Sequence, residues 1–164
     1  MNRVEISQFS RVHDVLADTQ WMLVVKSCDQ LERRQRMLES RSEDRIGRIK
    51  PRPTAEGLLV RGTLRDGKFC TTDSHPFREP RHIHRVDEGR YLFTEMNRLL
   101  LLDESGSVER TFTHPYFAFL HTVHCSQDRR RALVVSSGFD AVFEIDLETG
   151  EETFRWFAWD HGFN

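Results

Sequence analysis

From residue 58 onward the chain alternates between short apolar runs and compact turn-forming clusters. "YLFTEMNRLLLLD", "RALVVSSG" and "AVFEIDLETGEETFRWFAW" are rich in β-branched and aromatic residues and bounded by polar breaks, the composition of β-strands. Three breaks share one form: Arg65-Asp66-Gly67, Glu104-Ser105-Gly106 and Glu148-Thr149-Gly150. Each supplies a Gly that can take positive φ between two strands, as a hairpin requires. Residues 29–57 differ in kind. "DQLERRQRMLESRSEDRI" has helix-forming composition but only a thin stripe in Leu31, Met37 and Leu38, and "GRIKPRPTAEG" then breaks regular structure. That segment is expected to be a helical or irregular insertion.

The β region repeats itself. "SHPFREPRHIH" and "THPYFAFLHTVH" align His75 with His114, Pro76 with Pro115, Phe77 with Tyr116 and His82 with His121, at a constant spacing of 39 residues. Gly67 and Gly106 keep the same spacing, each fifteen residues before its histidine. His13 stands ten residues before Leu23, as His82 does before Leu92, and His161 falls forty after His121. Each unit reads as His, strand, turn, strand, strand, Gly turn, strand. Four short antiparallel strands in roughly forty residues is the pattern of a β-propeller blade. The expectation is an all-β, β-propeller-like fold: about three four-stranded blades plus the first strand of a fourth, with the 29–57 insertion, in one partial domain spanning 1–164. A generic antiparallel sandwich is the alternative.

Length and composition fit that picture. A chain of 164 residues suits one domain. A net charge of −2 lacks the basic excess of a nucleic-acid or membrane-surface binder. All but three of the basic residues are Arg, a bias that suits either anion recognition or a solvated face. Cys28, Cys70 and Cys125 form no CxxC pair. The N-terminal sequence lacks a signal-peptide core and no run is long enough to span a membrane, so a cytoplasmic location is expected.

At "LVVSSGFDAVFEIDLETGEETFRWFAWDH" and "FLHTVH" the chain resembles blades of the arylsulfotransferase-like six-bladed propellers, mainly over residues 115–161. The resemblance puts His121 on that family's blade-opening histidine and implies sulfuryl transfer. Val123 stands where those enzymes carry Asn, and Gly138 where they carry Arg.

Equivalent positions in successive blades ring the propeller axis. His82, His121, His161 and His13 are therefore expected to converge and bind one divalent ion, Fe, Mn or Zn, with Asp160 or Asp14 completing the shell or fixing a tautomer. An open position on such an ion would serve a lyase, hydrolase or oxygenase. Arg81 and Arg85 flank His82 and would hold an anionic small-molecule substrate. The competing expectation is a non-catalytic interaction scaffold whose histidines are structural and whose insertion meets a partner protein. His75 and His114 sit in His-Pro-aromatic sequences read as structural bends, and His84 and His124 fall at other positions within their units. Ser136 and Ser137 lack a nucleophile elbow, and no phosphate-cradling glycine loop occurs. Three units cannot close a propeller. The sequence expects a piece of a longer chain, with a homodimer of three-bladed halves as the alternative if the chain is complete.

Overall fold

A computed structural model describes residues 19–27, 56–65 and 68–163. Among the described residues, eleven strands form three antiparallel sheets in chain order. The first sheet contains β1 (Thr19–Val25), β2 (Glu56–Arg65) and β3 (Lys68–Arg78). The second contains β4 (His82–Arg85), β5 (Tyr91–Thr94), β6 (Leu99–Leu102) and β7 (Val108–Phe112). The third contains β8 (Leu120–Cys125), β9 (Arg131–Ser136), β10 (Ala141–Asp146) and β11 (Glu152–Phe157), and a 3-10 helix, Ala158–His161, follows. The opening strands β4 and β8 lie beside each other. Successive four-stranded meanders, face to face with their first strands adjacent, make the fold all-β and β-propeller-like.

The hydrophobic pattern explains the stacking. β6 reads Leu-Leu-Leu-Leu with every residue buried, as a strand covered on both faces must. Leu99 and Leu101 join Leu92 and Phe112 against third-sheet Val134, Phe143, Ile145 and Phe157. Leu100 and Leu102 join Phe93 against Leu59, with Met22, Val24 and Phe77 of the first sheet packed around them. Each buried Leu contributes about 1.5–3 kcal/mol. β10, "AVFEID", alternates buried and half-buried residues, because only one of its faces meets another sheet.

Several local expectations are revised. His75, Pro76 and Phe77 do not form a bend. They lie within β3, opposite Leu59, Leu58 and Gly57. Pro76 is tolerated there because β3 is an edge strand, where a missing N–H breaks no ladder. His114-Pro115-Tyr116 does lie in a turn, between β7 and β8. The spacing of 39 therefore joins unlike positions at that point. Residues 28–55, nearly all of the expected insertion, and residues 1–18 with His13 lie outside the described residues; Glu56 and Gly57 open β2. The first sheet has three strands among the described residues. At His161, where an opening strand was expected, the chain is in the 3-10 helix. No helix among the described residues is long and apolar enough to cross a membrane.

Candidate functional site

The opening strands carry four histidines, and local geometry decides what each can do. His82 lies opposite Thr94 in the second sheet. Its Nδ1 accepts a hydrogen bond from the backbone N–H of Val123 in the third sheet, at 3.2 Å. An imidazole that accepts at Nδ1 carries its proton on Nε2 when neutral. Burial, then the charges of His124 and His121, hold the His82 pKa below its ordinary value. His84 is depressed for the same reasons, burial first and then His124 and His82. The His84 and His124 rings meet edge-on at 4.9 Å, and His82 and His124 at 6.2 Å.

His84 and His124 occupy matching places, His84 opposite Leu92 and His124 opposite Leu133. His121 does not match His82 in the ladder. A register shift between Leu120 and Val123 leaves His121 and Thr122 in a bulge. His121 is exposed, its Nδ1 3.5 Å from the Thr122 hydroxyl. His161 lies beyond β11, at the edge of the third sheet opposite β8, stacked on Trp156 at 5.1 Å. The structure thus brings His82, His84, His121 and His124 together and leaves His161 apart. Among the described residues no group of three or more His, Cys, Asp or Glu side chains could hold a metal ion.

The depressed histidines make stability depend on pH with a definite sign. A His whose folded pKa lies below 6.5 binds a proton more readily when unfolded, so its contribution is full above pH 6.5 and is lost as pH falls through the folded value. Urea midpoints should therefore fall between pH 7.5 and 5, and His84→Phe should flatten that fall. The carboxyls of Asp103 and Asp146 are held down by turn hydroxyl and amide donors and lose their contribution only below 3.8, outside this window. A midpoint constant from pH 7.5 to 5 would contradict the buried-neutral description.

The two arginines separate. Arg81 is mostly buried, with Nη2 3.6 Å from Glu79 Oε2 and its guanidinium over the Phe119 ring at 5.4 Å. Burial pushes its pKa down, against the pull of Glu79. It braces the β3–β4 connection against the residue preceding β8. Arg85 lines a polar cleft of about 500 Å³ between the first and second sheets, with Trp21, Arg61, Asp73, Glu88 and Tyr91. Asp73 grips the Arg61 guanidinium at 2.9 and 3.0 Å, and Arg61 also donates to the backbone carbonyl of Glu104. Arg85 Nε donates to the Asp87 carbonyl at 2.9 Å. The cleft holds three carboxylates and two guanidinium groups, with the Arg61 charge already taken up.

Other polar residues prove to be fasteners between sheets. Glu95, 1% exposed, accepts the Arg78 N–H at 2.7 Å. Ser136, fully buried, accepts the Ala118 N–H at 3.0 Å and donates to the Tyr116 carbonyl at 2.6 Å. Each thereby fixes the connection that leads into its own sheet. Arg110 of β7 donates to the Leu147 carbonyl at 2.8 Å, repeating one sheet later what Arg61 does at Glu104. His114 Nδ1 accepts the Tyr116 N–H at 3.2 Å, and its Nε2 lies 2.9 Å from Glu152 Oε2. Nothing in the sequence pointed to Glu95, because the Arg78 partner it holds is a backbone amide with no side-chain signature.

No family model matches the chain, and no curated protein matches it in sequence. Among solved structures it is similar to the Pan2 WD40 domain of Neurospora crassa, at 17% identity and a TM-score of 0.47, covering 62% of this chain and 34% of that one. A protein of unknown function from Bacteroides caccae gives 10% identity and a TM-score of 0.46, covering 65% of this chain and 43% of the other. A chain of a nidogen/laminin complex gives 10% and 0.48, with 64% and 40% covered. The chain thus spans well under two thirds of each of these proteins. The resemblance to the arylsulfotransferase-like propellers gains no support from these comparisons.

Proposed function

We propose that this chain is a propeller-type interaction module whose histidines hold sheets together rather than carry out chemistry. The observation that carries this reading is the hydrogen bond from the Val123 N–H to His82 Nδ1. The opening strand of a sheet has no partner beyond its inner edge, and Val123 is fully buried, so its N–H must find an acceptor. The imidazole supplies it, which commits one ring nitrogen to the backbone and the proton to the other. Ser136, Glu95, Arg81 and His114 support the same view, since each is engaged by backbone, carboxylate or aromatic groups. Sulfuryl transfer would need charge-stabilising partners beside His121, and Val123 and Gly138 supply none.

The rival is the metal reading on His82, His121, His161 and His13, with Fe, Mn or Zn, and a single pair of measurements separates the two. On the scaffold reading, purified protein carries no stoichiometric divalent metal, and His82→Ala lowers stability by about 1–3 kcal/mol through the orphaned Val123 N–H. His82→Asn, which keeps an acceptor, recovers part of that loss. Stoichiometric metal that disappears on His82→Ala or His121→Ala would overturn the reading.

A further inference from the structure

Two histidines of the opening strands keep their ring nitrogens uncommitted. His82 and His114 are engaged by a backbone amide and a carboxylate. His84 of β4 and His124 of β8, among the described residues, make no hydrogen bond or ion pair. His84 is half-buried and His124 exposed, so an ion from solvent reaches the pair. Burial, followed by the charge of His124, holds the His84 pKa below its ordinary value. At neutral pH that ring is therefore uncharged and has a lone pair to give.

The two rings come from different sheets, on the neighbouring strands β4 and β8. Their centres lie 4.9 Å apart and their planes are inclined at 62°. Two imidazoles bound to one tetrahedral ion, each through a nitrogen at about 2.0–2.1 Å, hold their ring centres about 5 Å apart. The outer torsion of a histidine is soft, and a bound ring can tilt about its metal–nitrogen bond. Separation is therefore the strict requirement, and His84 and His124 meet it. His82 does not, with its ring 6.2 Å from His124. Its Nδ1 is also taken by the Val123 N–H, which leaves its proton on Nε2 and no lone pair for a metal.

We propose that His84 and His124 bind one exchangeable divalent ion, zinc foremost, which bridges the second and third sheets and keeps water at its remaining positions. Imidazole donors suit zinc, copper and nickel, whereas magnesium and calcium seek oxygen. Two protein donors are fewer than the three or four of a resident zinc site. The ion therefore enters from solution and leaves again on dialysis. The pair shares no residue with the set His82, His121, His161 and His13. Its ion fastens one sheet to the next, as His82 does through the Val123 amide.

Calorimetric titration of metal-freed protein with zinc chloride, paired with thermal melts, tests the site. One zinc per chain is expected, with no heat from magnesium. Because the two donors are brought together only in the folded protein, each tenfold rise in free zinc beyond half-saturation should raise the folding equilibrium constant about tenfold. His84→Asn and His124→Asn should each abolish that stabilisation, and His161→Asn should retain it. If either variant fails to fold, His84→Gln and His124→Gln replace it. No stabilisation in millimolar zinc would overturn the proposal and leave the scaffold reading standing. Stabilisation that survives both substitutions would overturn it too, since the ion would then sit elsewhere. Zinc lost on His121→Ala but kept on His84→Asn would overturn the proposal and the scaffold reading together.

Discussion

Phe143→Ala is expected to destabilise the protein by about 3–5 kcal/mol. Phe143 is fully buried on β10. Its ring contacts His114 at 4.7 Å, Phe157 at 5.6 Å and Phe117 at 5.8 Å, and lies parallel to Tyr116 at 6.5 Å. Three of those partners come from the connection between β7 and β8, so the ring ties the second sheet's exit to the third sheet's core. Truncation removes the apolar burial and leaves a cavity whose walls are rings fixed by other contacts, which limits collapse. At about 2–4 °C per kcal/mol for a chain of this size, Tm should fall by roughly 10 °C. Val142→Ala, one residue earlier and half-buried on the opposite face, should cost far less. Comparable losses for the two variants would mean that the aromatic cluster does not hold the second and third sheets together.

The strands were legible because alternation and turn glycines are local signals. Gly106 and Gly150 do take positive φ, 87° and 82°. The four leucines of β6 were legible as a strand, and their burial on both sides follows from a sheet with neighbours on each face. The repeat was visible but its spacing was off. His84 and His124, forty residues apart, share a place in the ladder, while the bulge at His121 shifts the histidine pair that the sequence aligned. A bulge inserts one residue without changing composition, so a spacing count absorbs it silently. The His-Pro pairs illustrate the same limit: Pro76 entered an edge strand and Pro115 a turn, both environments open to a residue without an N–H. The role of His82 was hidden for a different reason. Its partner is a main-chain N–H, and that bond depends on which strand comes to lie beside it.

Glu95→Ala is expected to cost about 2–3 kcal/mol, and the reason makes a second, less obvious prediction. Glu95 and Ser136 stand at matching places in successive sheets, Glu95 just past the end of β5 and Ser136 as the last residue of β9. Glu95 accepts the N–H of Arg78 and Ser136 that of Ala118, the residues that lead into β4 and β8. A buried donor left without its acceptor costs about 1–3 kcal/mol. Glu95 also accepts from Arg98 Nε at 2.7 Å, but the Arg98 side chain is 39% exposed. Water therefore replaces most of what that pair contributes, leaving at most about 1 kcal/mol. Glu95→Gln keeps an oxygen for the Arg78 N–H and should lose only this smaller part. Ser136→Ala should match Glu95→Ala to within about 1 kcal/mol, although one removes a carboxylate and the other a hydroxyl, because both orphan one backbone amide at equivalent joints. Chemical-denaturation midpoints of the three variants decide it. A Glu95→Gln loss as large as that of Glu95→Ala would place the stabilisation in the charge pair, and the shared backbone role would fail.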